Sequence, residues 1–446
     1  MDTALVKDIF TICNIVLTSS FVLCYLYQFV YIFWVFLGKD RSKPVQSDKQ
    51  NKFGIVISAR NEENVIGHLL ESIKRQDYPQ ELIKIFLIAD NCTDNTAQVG
   101  RDHGAIVLER ENKELVGKGY ALDFLFKKLI NEKDDCDAYI VFDADNLVDK
   151  NFVKEMNINF NRGYKALTSY RNSKNYGTNW ISAGYSLWFL REAKYLNHAR
   201  MRFGTSCAIS GTGFCISKDI IESNNGWPYH LLTEDIEFSV DMAIRDEMIG
   251  YSGGSIVYDE QPETFKQSWN QRLRWSKGFY QVFGKYGGKL FKGIFRGKFA
   301  CYDMLMTVFP ALMFTILSLC CCIGEFIFGI SICIENPEFI NFFKFCMVPL
   351  MYYLCIIYML IFVVGFITLM TEWDVIDCPP NRMIKYLFTF PIFMLTYAPI
   401  AITALFKKVE WTPIAHSVTK SIDDVGVLDS PENGDSGGGD GGSEAE

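Results

Sequence analysis

Apolar residues along this chain fall into three regimes. Ile9 to Leu37 is an almost uninterrupted apolar run, and residues 50 to 300 alternate short apolar runs with amphipathic stretches. Met304–Ile334, Phe345–Met370 and Leu387–Phe406 are again nearly continuous. About 20 apolar residues in a helix cover a bilayer core of about 30 Å, so the outer regimes predict an N-terminal transmembrane helix, 9–37, and a C-terminal membrane region of about three helices, 303–406. The first run is too long and too aromatic for a cleavable leader and lacks a basic start. Gly38-Lys-Asp-Arg-Ser-Lys43 follows it as a basic flank, the mark of a cytoplasmic end. That puts the domain of residues 50–300 in the cytosol. Lys407 and Lys408 mark the end of the last run in the same way. Three crossings that begin in the cytosol must end outside, so the two signals conflict. A re-entrant or interfacial segment, or a misleading charge signal, would each resolve the count, and the sequence leaves them open.

Within the middle domain, Phe53–Ser58, Ile83–Ala89, Ala105–Leu108 and Ala138–Phe142 read as strands. Between them lie an amphipathic stretch through Lys74, a short helix capped within Asn91–Thr96, and a helix over Gly119–Leu129. Such alternation predicts an α/β fold with a mostly parallel sheet and helices on both faces. Three of these strands run into an acid or into Ala59-Arg-Asn-Glu-Glu63, which gathers polar groups on one edge of the sheet. Residues 151–206 are aromatic and basic and read as helical. Ile209–Phe214 is punctuated by Gly211 and Gly213, where missing side chains allow close approach of a ligand or backbone. Thr233 stands at an expected helix N-cap, and Gln267–Tyr280 reads as a polar-aromatic helix.

Composition sharpens this only in places. The net charge is −8, partly because Asp423–Glu446 is acidic and carries no Lys or Arg, so a nucleic-acid partner is not suggested. From about Asp429 that tail, rich in Gly, Ser and acids, is expected to be disordered. Fourteen cysteines include three inside an apolar run, Cys320–Cys322, where they act as small hydrophobes, and all are read as reduced. There is no Cys-x-x-Cys spacing for zinc. None of the five histidines sits in a nucleophile motif, and His230 is read as structural.

The chemistry concentrates at Tyr139-Ile-Val-Phe-Asp-Ala-Asp-Asn146. A strand that ends in two carboxylates, Asp143 and Asp145, places them where an open α/β sheet presents its ligand site. Oxygen ligands suit a hard divalent cation that also holds substrate phosphates. Alone, such a pair is more often a solvated turn. It is not alone: Asp90 ends the second strand, Thr233-Glu-Asp235 follows, and Gln271-Arg-Leu-Arg-Trp275 comes after that.

In this order the motifs resemble the membrane-integrated inverting glycosyltransferases of family 2, the group of cellulose, hyaluronan, chitin and poly-N-acetylglucosamine synthases. The likeness covers about residues 50–280 and the flanking membrane architecture, and Q-x-x-R-W with an upstream T-E-D is its most specific part. It implies a GT-A fold plus α-helical transmembrane segments, a UDP-sugar donor, and Mg²⁺ or Mn²⁺. Asp90 would contact the nucleoside, Asp143 the donor ribose or sugar, and Asp145 the metal. Ala59, Arg60 and Glu62 resemble the segment lining base and ribose, and Lys118 in Gly117-Lys-Gly119 the donor-loop lysine, a solvated loop lysine being as plausible. Arg274, with Arg272 as a further candidate, and Gln271 would face the pyrophosphate. The alternative for the arginines is a cationic face on lipid headgroups. Asp235, beside Glu234, would be the general base, the alternative being two acids that complement a helix dipole. Trp275 would stack on the acceptor, unless it is an interfacial tryptophan. Gly211 and Thr212 stand at the acceptor floor, but the sequence there is not the Cys-Gly-Ser of cellulose synthases. Trp411–Lys420 is similar to the cytosolic gating segments of the synthases, within a tail of residues 407–446.

The resulting expectation is a processive synthase in the plasma membrane. It would transfer hexose from UDP-glucose, or next UDP-N-acetylglucosamine, to a growing β-glycan and export the polymer. The alternative is single transfer to a lipid-linked acceptor. Four apolar segments make a narrow bundle, so a homo-oligomer or a partner subunit would serve the first reading.

Overall fold

The computed structural model describes residues 3–335, 347–409 and 420–424. Most of the gating-like segment, residues 411–419, and the acidic tail beyond Asp424 lie outside them. One eight-stranded sheet organises the middle of the chain, in the order β3-β2-β1-β4-β7-β6-β8-β5. Its strands are β1 Phe53–Ala59, β2 Ile83–Asp90, β3 Ile106–Arg110, β4 Ala138–Asp143, β5 Leu147–Val148, β6 Ala166–Ser173, β7 Phe214–Ser217 and β8 Ile249–Asp259. Helices α2 (Ile66–Lys74), α3 (Thr96–Asp102), α4 (Lys118–Asn131), α5 (Phe152–Phe160), α6 (Trp180–Arg191), α7 (Ala199–Phe203), α8 (Lys218–Ser223), α9 (Glu234–Arg245) and α10 (Phe265–Phe295) surround it. A π-helical turn, Glu192–His198, joins α6 to α7.

The first half of the sheet is parallel, as the alternating pattern implies. β1 pairs with β2 on one side and β4 on the other, with Ala59 opposite Ala89 and Ser58 opposite Asp143. Both faces are covered, so these strands are continuous apolar runs, with Phe53, Ile55, Val56, Ile57, Ile140, Val141 and Phe142 wholly buried. The register brings Ala59, Asp90 and Asp143 to one edge, and the crevice between β1 and β4 opens where strand order reverses.

The second half differs from the helical expectation for residues 151–206. β6 runs through that segment, antiparallel to β7 and parallel to β8, with a bulge opposite Ser169 and Tyr170. Its Ala-Leu-Thr-Ser-Tyr-Arg-Asn-Ser sequence hides the strand, because four of its buried residues, Thr168, Ser169, Asn172 and Ser173, are polar, with Asn172 Nδ2 donating to the distant Val375 carbonyl at 2.9 Å. β8, Ile-Gly-Tyr-Ser-Gly-Gly-Ser-Ile-Val-Tyr-Asp, escaped the reading for the same reason. Residues Ile209–Gly213 form a loop, and the strand begins only at Phe214.

The apolar ends form α1 (Thr3–Leu37), α12 (Pro310–Glu335), α13 (Val348–Thr371), α14 (Pro380–Leu395) and α15 (Tyr397–Phe406), with α11 (Phe299–Val308) preceding α12. Among the described residues, three stretches are long and apolar enough to cross a membrane: Asp8–Leu37, Leu350–Thr371 and Pro380–Phe406. The expected run Met304–Ile334 is corrected at its start, and its remainder is the apolar helix α12. The run breaks at Phe309, because Pro310 lacks the amide that would continue α11, and α11 is buried inside the protein. There Asp303 accepts from Arg200 Nε and Nη2 at 2.8 and 2.7 Å and from Tyr31 and Tyr27 at 2.8 and 3.0 Å. This buried, fully bonded ion pair ties α1 to the globular part. The twelve described cysteines are all free.

Candidate active site

The site is built from the ends of parallel strands and from loops of the mixed half. At the end of β4, the Asp143 amide is held by Asn146 Oδ1 at 3.1 Å and Thr212 Oγ1 at 3.0 Å. Its carboxylate accepts from the Lys118 ammonium at 2.5 Å, and the same ammonium reaches the Gly211 carbonyl at 2.8 Å. Gly211 is left-handed, with φ 77°, and a Cβ there would stand 3.8 Å from Asp235 Oδ2. Asp143, Lys118, Gly211 and Asp235 are thus contiguous. Four separately predicted segments meet at one point.

Lys118 opens α4, after Gly117 in a backbone conformation only glycine adopts readily, with φ 134°. A Cβ on Gly119 would come within 2.2 Å of the Tyr229 carbonyl, and Tyr120 stacks on His230 at 4.2 Å. The lysine loop therefore lies directly against the segment leading into Glu234 and Asp235, and His230 has a packing role. Burial disfavours the Lys118 charge, yet Asp143, Glu234 and Asp235 around it hold its pKa above the ordinary lysine value.

Glu234 and Asp235 begin α9 and are partly exposed. Burial raises the pKa of Glu234, and the neighbouring Asp235 charge raises it further. Burial also raises that of Asp235, against Lys118 and Arg171, which favour its ionised form. Thr233 occupies the N-cap position, but its hydroxyl makes no capping bond. It packs against Gly278 of α10, where a Cβ would stand 2.5 Å away. Glu237, one turn on, accepts from Lys285 at 2.5 Å and Tyr286 at 3.2 Å, which bolts α9 to α10.

Asp145 is 5% exposed and accepts from the Glu260 amide at 3.2 Å. Buried Lys174 donates to the Asp145 carbonyl at 2.6 Å. The turn is braced by Asp259, whose two oxygens take Asn146 Nδ2 at 3.0 Å and Arg171 Nε at 3.0 Å. Arg171 also donates to the Ser210 carbonyl at 2.9 Å and lies 3.7 Å over the Phe189 ring. Glu192, the first residue of the π-helical turn, has a carboxyl raised by burial and opposed by Ser210 and Arg171. Arg171, Glu192 and Asp259 were missed. Their only sequence signal was charge inside a segment read as helical or left unread.

Asp90 is buried and paired with Arg110 Nη1 at 2.5 Å. Burial raises its pKa, and Arg110 and Arg60 work against that shift. Arg110, at the end of β3, is a partner the sequence did not suggest. Ala59 is buried at the end of β1. The following loop, with Arg60 and Glu62, is laced to residues 91–96: Glu62 N donates to Thr96 Oγ1 at 2.8 Å and Thr93 N to Asn61 Oδ1 at 2.8 Å.

On α10, residues two apart point about 200° apart, and the two arginines separate accordingly. Arg272, the further candidate for the pyrophosphate, is a correction: it is fully buried and engaged by the C-terminal helices. It donates to Thr396 Oγ1 at 2.7 Å and the Phe393 carbonyl at 3.1 Å. Arg274 lies near enough to Glu234 to favour its ionised form. Arg274 Nε and Gln271 Oε1 are buried without hydrogen-bond partners among the described residues. Trp275 meets Tyr185 edge-on at 5.7 Å and Phe189 at 6.1 Å.

Comparison with known proteins agrees with this geometry. A family model described as "Glycosyltransferase like family 2" matches residues 50–278. The chain is 25% identical over 238 residues to a beta-monoglucosyldiacylglycerol synthase of Synechocystis, covering 52% of this chain and 48% of that one. It is 25% identical over 251 residues to a poly-beta-1,6-N-acetyl-D-glucosamine synthase of Staphylococcus epidermidis, covering 54% and 58%. The chain spans between 48% and 63% of the length of the curated relatives it matches. Its fold is that of a mannosyltransferase of Pyrobaculum calidifontis, solved in complex with GDP-Man and Mn²⁺, at TM-score 0.55 and 14% identity over 89% of this chain and 99% of that one.

Proposed function

The chain belongs to glycosyltransferase family 2, and on that premise we propose that it transfers one hexose per turnover, with inversion, from a nucleoside-diphosphate sugar to a hydroxyl presented at the membrane face. UDP-glucose is the favoured donor and UDP-N-acetylglucosamine the next. The observation that carries this reading is the junction of Asp143, Lys118, Gly211 and Asp235.

In that junction Asp235 takes the acceptor proton as the acceptor oxygen bonds to the anomeric carbon. The bond from that carbon to the diphosphate breaks, and the nucleoside diphosphate leaves with the electron pair. Its raised pKa makes Asp235 a better base than an ordinary aspartate, while Lys118 and Arg171 keep it ionised. Lys118 and Arg274 offer donors to the diphosphate, a use for the buried unpartnered Arg274 Nε, while Gln271, whose unpartnered Oε1 accepts, suits a hydroxyl of the donor sugar. Asp90, Ala59, Arg60 and Glu62 form the rim for base and ribose. Thr212 and Gly211 floor the acceptor side, and Trp275 walls it.

Asp143 and Asp145 supply only hard carboxylate oxygens, and the position already accommodates a cationic lysine, so the donor set fits Mg²⁺ or Mn²⁺. Bound there, such an ion would supply positive charge against the charge that develops on the leaving diphosphate.

A lipid hydroxyl is the favoured acceptor. The apolar helices present wide sides outward, as to surrounding lipid, with Leu23, Phe33 and Tyr352 at least 66% exposed, and none of the best membrane-crossing window in Asp8–Leu37 buried. A growing β-glycan with coupled export is the second reading, favoured by Gln271-Arg-Leu-Arg-Trp275 and by the relative that makes a polymer. It would need a homo-oligomer or partner to close a channel. Either reading places the catalytic domain on the cytoplasmic face of the plasma membrane.

The test is turnover of purified protein with each UDP-sugar plus Mg²⁺ or Mn²⁺, with products both sized and extracted into organic solvent. A radiolabelled, solvent-soluble glycolipid is the expected product. A high-molecular-weight polymer would overturn the lipid reading in favour of the second.

A further inference from the structure

We propose that Pro380–Phe406 does not cross the membrane but lies along its surface on the side of the catalytic domain. Its apolar outer face would rest on lipid, and the chain that follows would stay on that side. The proposal is independent of which acceptor the enzyme uses. By length and hydropathy alone this stretch qualifies as a crossing; its contacts decide otherwise.

From Arg382 to Ala404 the stretch would span about 33 Å as straight helix, enough to carry its end through a bilayer core of about 30 Å. Yet the catalytic domain holds it at the start, middle and end. Arg382 Nη1 donates to the Gly177 carbonyl at 3.4 Å. In the middle, Phe393 packs on Gly184 and Tyr185 of α6, and Arg272 of α10 bonds Phe393 and Thr396. At the end, Tyr280 OH donates to the Ala401 carbonyl at 3.1 Å and Lys277 Nζ to the Ala404 carbonyl at 3.0 Å. The partner helix α10 cannot itself be immersed. Lys266, Arg272, Arg274, Lys277, Lys285, Lys289 and Lys292 along it would each cost kilocalories in hydrocarbon.

The exposure pattern agrees. Met383, Tyr386, Leu387, Phe390 and Phe393 are buried, whereas Ile384, Phe388 and Ile392, one turn apart, are about half exposed, and Phe406 is 84% exposed. Phe295 at the end of α10, 88% exposed, continues the pattern, flanked by Lys292 and Arg296. Exposed aromatics beside basic groups suit the boundary between acyl chains and anionic headgroups.

The remaining helices close the count. Successive contacts Tyr25–Met306, Phe21–Phe314, Asn14–Glu325 and Phe10–Phe328 set α1 antiparallel to α11 and α12, so α12 leads away from the catalytic domain. α13 returns to it, ending at Glu372, which is buried against Tyr170 and lies 3.2 Å from Lys194. After α15, Lys420 bonds the Lys174 carbonyl at 2.8 Å and Asp423 pairs with Arg75 at 2.7 Å, both on the catalytic domain. This removes the conflict between the basic flank Lys407-Lys408 and three crossings.

The test uses the full chain with a C-terminal epitope tag, in sealed vesicles whose outer surface carries the catalytic domain. External protease should remove the tag without detergent; a tag protected until detergent is added would overturn the proposal. A photoreactive benzoylphenylalanine at Ile392 or Phe406 should crosslink to phospholipid. A crosslinked dimer instead would mean that a second copy covers this face, and would also overturn it.

Discussion

The two halves of the sheet hold their polar groups by different means. In the parallel half, β3-β2-β1-β4, functional groups sit at strand ends fixed by register, and the strands beneath are apolar on both faces. In the mixed half, β7-β6-β8-β5, the groups are held by other side chains: Arg171 by Asp259, Asp259 by Asn146, Asn146 by Thr212. Backbone register tolerates substitution of neighbours. A polar network does not, because each lost member leaves a buried group unpaired. The parallel half should therefore behave as a scaffold, and the mixed half as a tuned cluster.

The sharpest break between them is Asp235→Asn. Loss of the proton acceptor should lower turnover about 10²- to 10⁴-fold, while donor affinity, measured by calorimetry with UDP and Mn²⁺, stays within a few-fold. Turnover near the native rate would remove Asp235 from the chemistry.

This division also explains what the sequence made legible. Phe53–Ser58 and Ala138–Phe142 are readable as strands because burial on both faces writes a continuous apolar run, and Asp143 is conspicuous at the end of one. β6 buries polar Thr168, Ser169 and Asn172 against a strand far along the chain, so no local pattern betrays the strand or marks Arg171 within it. The same holds for Arg272. The motif supplied two arginines, and only the third dimension separates the one facing Glu234 from the one holding Phe393 and Thr396.

Next in size is a pair of glycine substitutions, one where the halves meet and one inside the mixed half. An added methyl at Gly119 would stand 2.2 Å from the Tyr229 backbone oxygen, which cannot rotate away. Gly119→Ala should cost about 1–3 kcal/mol by overpacking. It should also lower activity, because Lys118 and the Thr233-Glu-Asp235 segment are forced apart. At Gly213, φ is 65° and the nearest atoms are the Ser169 hydroxyl at 2.3 Å, a side chain able to turn, and a Val257 methyl at 2.9 Å, with no backbone atom among them. Gly213→Ala should cost about 1–2 kcal/mol, mainly from the left-handed backbone, with a smaller loss of activity. Urea unfolding of the detergent-solubilised proteins, with rates measured in parallel, orders the two. Equal losses of activity would deny that Gly119 is the joint.

The smallest expected effect tests the network most directly. Arg171 favours the ionised form of Asp235, as does Lys118. A base must be deprotonated to act, so the rate falls as pH drops through its pKa, and burial places that acid limb above the ordinary aspartate range. Removing a nearby positive charge raises a carboxyl pKa. Arg171→Gln should therefore move the acid limb of kcat/KM upward, by roughly half a pH unit for a charge that acts beyond direct contact. Arg171→Gln also leaves Asp259 buried without its partner, so some loss of rate at every pH is expected from structure alone. The limb position is insensitive to that loss. Arg171→Lys keeps the charge and should leave the limb where it is, even if the rate drops because lysine lacks the planar fork that reaches Asp259 and Ser210 together. If both variants slow the enzyme and neither moves the limb, Arg171 only braces the loop, and Asp235 owes its ionisation to Lys118 from the parallel half.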